Sequence, residues 1–209
     1  MPSDAEERMI EAAERIAAEE GLGAMSLRAV QAAAGQRNKS AAQYHFGSRE
    51  GLIERIVVHR MGPINERRVE MLGTLPDEAT LADLVEVFVR PTAEAVLSGR
   101  PSYWARFVIA GTADPTVADV VRVHLQGEGF RVIARRLLAA LDHLPEATRA
   151  RRLEQVFSLV FASLARAERE PMVDDVDALI TDLVVVCVAI LAVGTSPSTA
   201  GIEARALTD

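Results

Sequence analysis

The stretch SLRAVQAAAGQRNKSAAQYHF, residues 26–46, decides how this chain is read. Ser26 is a helix N-cap, Gly35 ends the short helix that follows, and Asn38 can cap a second one over about 39–45. Two short helices joined by a tight glycine turn form a helix-turn-helix. The second helix carries Lys39, Ser40, Gln43, Tyr44 and His45 with almost no apolar bulk, so it buries little on its own. Its side chains are donors and acceptors of the kind that reach phosphates and base edges in a major groove. Arg37 and Lys39 stand at its entrance, where helix N–H groups also favour phosphate. The competing reading is an ordinary solvated face of a helical bundle.

Charge separates the two readings. The 209-residue chain has a formal net charge of −7. Residues 25–60 nevertheless hold six cations (Arg28, Arg37, Lys39, Arg49, Arg55, Arg60) against Glu50 and Glu54, a balance of +4. An acidic protein with one basic island suits a polyanionic partner. The single cysteine, Cys187, excludes a disulfide framework, and no Cys/His cluster has zinc-ligand spacing, so no metal is expected. The acidic N-terminus MPSDAEERM lacks the apolar core of a secretory signal. The longest apolar run, 183–193, is short of the roughly 20 residues that span a bilayer, and a cytoplasmic location without membrane contact is expected.

Around the basic island, Arg8 to Gly21 (RMIEAAERIAAEEG), the Ala34-Gly35 turn, His45-Phe46, Ser48-Arg49-Glu50 and Leu52 resemble the tetracycline-repressor (TetR) family of bacterial transcriptional regulators. The resemblance implies an N-terminal DNA-binding domain followed by a variable helical domain that binds a small effector. The residues of the basic island and of the second helix expected to contact DNA are Arg28, Arg37, Lys39, Ser40, Gln43, Tyr44, His45 and Arg49, of which Arg49 matches the family's basic residue at the start of helix four. The chain departs from the family's pattern in three places: one extra residue in the turn Ala34-Gly35-Gln36-Arg37-Asn38, Gln43 where a tyrosine is usual, and Gln31 in place of a small residue. A recognition helix rotated or entered differently is therefore expected.

Helical periodicity continues to the C-terminus and strand signals are absent, so the chain reads as all-α with about nine helices. Beyond the first four they are placed at about 80–98, 102–111, 115–142, 145–167 and 175–191. Gly62-Pro63 reads as a kink or seam, which divides the chain into a DNA-binding domain at 1–61, an effector-binding and dimerisation domain at 62–193 and a mobile tail at 194–209. Trp104 and Phe107, with Val108 beside them, are either core or the wall of an effector pocket, which the resemblance puts among helices four to seven. His124 and Gln126, mid-helix in an apolar context, are either satisfied core groups or ligand contacts. Val156, Phe157, Val160, Phe161 and Leu164 form one apolar stripe, and Leu183, Val186, Cys187 and Ile190 belong to a last helix apolar nearly all round. These two helices are the expected homodimer interface. There is no nucleophile elbow, phosphate-cradling loop or HExxH, so no catalytic residue and no cofactor is expected. The reading is a ligand-responsive regulator, a repressor that binds a palindromic operator as a homodimer and is released by a small apolar effector. The alternative is a small-molecule-binding or enzymatic helical protein with an unused helix-turn-helix segment.

Overall fold

The fourth helix runs straight through the expected seam. In the computed structural model, which describes residues 3–38, 40–76, 78–98, 101–170 and 175–194, α4 extends from Arg49 to Thr74 with Pro63 inside it. Proline removes one helix hydrogen bond, that of the His59 carbonyl, but Pro63 lies on the exposed face where solvent can take that carbonyl. On the opposite face Met61, Ile64 and Arg68 are buried. Packing along that face outweighs the local break.

Ten α-helices and one 3-10 turn (Leu22–Ala24) make up the described residues, with no strand among them. The first three are α1 Asp4–Glu19, α2 Leu27–Ala33 and α3 Ala41–Phe46. Their caps follow the sequence: Ser3 Oγ accepts from Glu6 N, Ser26 Oγ from Ala29 N, and Ser48 Oγ from Gly51 N at the head of α4. Gly35 between α2 and α3 (φ 65°) and Gly47 between α3 and α4 (φ 68°) hold left-handed backbone that a side chain would strain. Met9, Ile10, Ala13, Met25, Val30, Leu52, Ile53 and Ile56 fill the interior of this bundle. Each large one contributes about 1.5–3 kcal/mol by leaving water.

The remainder consists of α5 Leu81–Leu97, α6 Trp104–Ala113, α7 Ala118–Leu125, α8 Glu128–Ala140, α9 Glu146–Ala167 and α10 Val176–Ala192. The expected single helix over 115–142 is two helices, α7 and α8, broken at Gln126-Gly127, which accounts for ten helices instead of nine. The cause is the neighbouring α4. A Cβ on Gly129 would sit 2.6 Å from the Asn65 carbonyl oxygen, and one on Gly127 would overlap the Asn65 side chain. Asn65 Oδ1 in turn accepts from Phe130 N at 3.0 Å, capping the first turn of α8 from outside.

Helix α6 joins the two ends of the molecule. Its first residues pack on α1, and its N-terminus is capped by Glu168 at the end of α9. Glu168 accepts from Ala105 N (2.8 Å), Arg106 N (3.0 Å) and Ser102 Oγ (2.8 Å). α10 packs on α5 and α9, and α4 on α7 and α8. The expected contact Lys39, and the expected tail beyond Gly194, lie outside the described residues.

Candidate nucleic-acid interface and effector cavity

Helix α3 buries Ala41, Ala42 and Phe46 and turns Ser40, Gln43 and Tyr44 to solvent. Tyr44 is 86% exposed, its ring meeting that of His45 edge to face at 5.3 Å between centroids. No side chain of its own N-cap, Ser40, closes the helix. Instead Gln31 of α2 accepts from Ala42 N at 3.4 Å, so the unusual glutamine supplies an orphan N–H of α3 with an acceptor and links the two helices. The extra turn residue is absorbed by Asn38, whose Oδ1 accepts from Ser40 N (3.1 Å) and Ser40 Oγ (2.9 Å). Gln43 Nε2 donates to the Gly47 carbonyl, which holds its amide at the C-terminal end of α3.

The basic island is less free than its sequence balance indicates. Arg55 pairs with Glu6 and Arg60 with Glu14, so two of its cations answer carboxylates of the acidic first helix. Burial pushes the Glu6 carboxyl up, but the Arg55 hydrogen bond and charge outweigh it and hold Glu6 below its ordinary value. At Glu14, more deeply buried, desolvation prevails over Arg60 and its pKa is raised. Arg49, an expected DNA contact, has Nε donating to the Met25 carbonyl (3.2 Å) and Nη2 to the Leu22 carbonyl (2.8 Å), which makes it a brace for the loop before α2. His45 is half-buried, with Nδ1 4.0 Å from Glu6 Oε2. Arg28 and Arg37 remain as exposed cations without an ion pair among the described residues.

A cavity of about 970 Å³ opens between α6, α7, α8 and α9. Its walls include Val108, Ile109 and Thr112 of α6, Leu125 of α7, Phe130 and Leu138 of α8, and Leu153, Phe157 and Phe161 of α9. Of the expected pocket residues Val108 is there, and so is Gln126, which stands at the C-terminal cap of α7 and not mid-helix as expected. Trp104 and Phe107 stack on each other (centroids 5.7 Å apart) in the core and do not line the cavity. His124 ends α7 on another side, with Nδ1 2.8 Å from the Val120 carbonyl and Nε2 3.2 Å from Glu54 of α4. The cavity residues carry no motif; a helix reads the same whether its apolar face meets a neighbour or a void.

The expected interface residues also divide. Val156, Val160, Phe161, Leu164, Leu183 and Cys187 are buried inside their own chain, and Phe157 and Ile190 are half-buried. Burial pushes the Cys187 thiol up to about 11. The outer face of α10 presents Val185 (61% exposed), Val186 (39%), Ala189 and Val193 (61%) instead. Among the described residues no helix is long and apolar enough to cross a membrane, and no group of three or more His, Cys, Asp or Glu could hold a metal.

The family model described as bacterial regulatory proteins, tetR family, matches residues 9–56, from within α1 to the first turns of α4. Comparison with curated proteins finds no match. Among solved structures, the fatty acid degradation regulator FadR from Bacillus halodurans has a TM-score of 0.61 at 13% identity, over 90% of this chain and 96% of that one, a likeness of fold. A tetR-family regulatory protein from Rhodococcus RHA1 has a TM-score of 0.49 at 15% identity, over 93% and 100%. The multidrug binding protein EbrR, complexed with imidazole, has a TM-score of 0.46 at 17% identity, over 93% and 99%.

Proposed function

We propose that this chain, whose residues 9–56 match the model of the tetR family of bacterial regulatory proteins, is a cytoplasmic repressor of that family that binds a palindromic operator as a homodimer and leaves it when a small apolar molecule enters the α6–α9 cavity. The family is one of regulators, not enzymes. The DNA-binding domain is assigned to residues 1–61, the effector and dimerisation domain to 62–193. The observation that carries the reading is α3: a short helix anchored by Phe46, Ala42 and the Gln31 bridge, with Ser40, Gln43 and Tyr44 exposed along its outer side. Arg37 and Arg28 flank it and supply phosphate contacts; Ser40, Gln43 and Tyr44 face the groove.

Two reading heads must be roughly 34–36 Å apart, or a multiple of it, to meet successive half-sites. The exposed valines of α10 and the adjacent face of α9 form the surface that a second copy covers. The α6 helix connects effector to DNA: its C-terminal half lines the cavity and its N-terminal half packs on α1. The His124–Glu54 pair ties α7 to α4 in the same sense. A ligand that prefers the arrangement with misplaced heads by about 1–3 kcal/mol lowers DNA affinity roughly 5- to 150-fold.

The test is selection from a random DNA pool by the purified protein, followed by titration of the selected site with apolar ligands. A palindrome whose complex dissociates on ligand addition supports the proposal. Enrichment of no sequence above background rejects it in favour of a helix-turn-helix segment that no longer reads DNA.

A further inference from the structure

Arg68, in the middle of α4, is 2% exposed, among the largest fully buried side chains of the protein. A buried guanidinium is ordinarily matched by a carboxylate. Here every hydrogen-bond partner is neutral: Nη2 donates to the Phe88 carbonyl (3.2 Å) and Thr92 Oγ1 (2.9 Å), and Nη1 to Asn65 Oδ1 (3.2 Å). Nε has no partner at all, and no acidic side chain pairs with Arg68 among the described residues. Burial pulls its pKa down to about 10, which leaves it charged at neutral pH.

Two aromatic faces compensate in part. The guanidinium carbon lies 5.3 Å from the centroid of Phe88 and 5.8 Å from that of Phe130. Phe130 is also a wall of the cavity, so a single half-buried ring separates an unmatched cation from the proposed effector site. The other cations lining the cavity, Arg122 and Arg151, are solvent-exposed, and Arg122 already faces Asp119 at 3.7 Å. A solvated charge gains little from pairing, whereas a buried one gains much.

We infer that the effector is an amphipathic organic anion, whose acidic group displaces the Phe130 ring to pair with Arg68 while its apolar body lies against Phe157, Phe161 and Leu125. This rests on the reading of the cavity as the effector site and adds to it the charge of the ligand.

The probes are 1-anilinonaphthalene-8-sulfonate and N-phenyl-1-naphthylamine, the same ring system with and without an anionic group, titrated by fluorescence into the folded full-length protein. The expected result is that Arg68→Met weakens the sulfonate by about tenfold or more and leaves the neutral amine within about twofold, since a charge-assisted contact is lost and the apolar wall is not. Phe130→Ala, which removes the partition and keeps the cation, should shift the preference toward the sulfonate by several fold, and it decides the matter if Arg68→Met does not fold. Sulfonate binding indifferent to Arg68→Met, weakened instead by Arg151→Ala, or not favoured by Phe130→Ala overturns the assignment of Arg68. If neither probe binds, or both bind unchanged when Val108→Phe and Leu125→Trp together narrow the cavity, the cavity reading itself falls, and the inference with it.

Discussion

Glu168 offers the sharpest test of how α6 is held. Its carboxylate is fully buried at the end of α9 and accepts the first two free backbone N–H groups of α6, those of Ala105 and Arg106, together with the Ser102 hydroxyl and, at 3.3 Å, Arg106 Nε. Glu168→Ala removes an anion from a helix N-terminus, where it is worth up to about 2 kcal/mol in a partly buried site. It also orphans two donors that lose charge-assisted bonds of about 1.5–3 kcal/mol each. Solvent reaches the Ser102 side of the cap, so the losses do not add in full, and about 3 kcal/mol is expected. Glu168→Gln keeps the shape and one acceptor but turns an amide NH₂ toward donors; about half that loss is expected. At roughly 2–4 °C per kcal/mol for a chain of this size, the alanine variant should melt about 6–12 °C below the parent. Trp104, the sole tryptophan and the first residue of α6, reports the transition by fluorescence at fixed protein concentration. Glu170→Ala, two residues on and exposed, is the control and should change little. A Glu168→Ala protein within 1 kcal/mol of the parent would show that the cap does not fix α6, and the route from cavity to α1 would need another element.

Three further outcomes are expected. Arg37→Ala should weaken binding to all DNA sequences alike and lower the salt slope by about one, whereas Arg49→Ala should cost about 1–3 kcal/mol of stability and leave the slope unchanged; the reverse pattern in salt titrations refutes both assignments. Val185→Asp should convert the proposed dimer to a folded monomer in sedimentation, while Phe161→Glu, placed in the chain's own core, should unfold it, so a well-folded Phe161→Glu protein contradicts the packing. Glu6 has a folded-state pKa below its unfolded one, so its pairing with Arg55 stabilises fully above the carboxylate range and is lost as pH falls through the depressed value. The stability gap between parent and Glu6→Gln should therefore be widest near neutrality and close below about pH 4; a gap that widens in acid refutes the sign.

The class of the protein was legible in signals that act within one helical turn. The cap at Ser26, the helix-ending Gly35 and the 3.6-residue repeat depend on neighbours about four positions away, and each appears in the structure where the sequence places it. The helix-turn-helix and the family resemblance over α1 to α4 are built from such signals. At Pro63 the local pattern breaks, yet α4 continues through it because its other face is buried.

Everything that depends on what approaches from elsewhere in the chain was decided by the tertiary structure. An arginine in a basic island reads the same whether it faces solvent, as Arg37 does, or is spent on the carbonyls of Met25 and Leu22, as Arg49 is. An apolar stripe does not say whether it meets its own core, as at Val160 and Leu183, a void, as at Phe157, or open solvent, as at Val185. Nothing local in the sequence marks Arg68, on which α5 and α8 close. The sequence by itself determined the all-helical class and the helix-turn-helix near the N-terminus, because hydrogen bonds within a helix are local; which cations are free, where the cavity lies and which charge is left unmatched beside it follow from contacts between residues 20 to 65 positions apart, as from Arg68 to Phe88 or Asn65 to Phe130, which only the packed chain brings together.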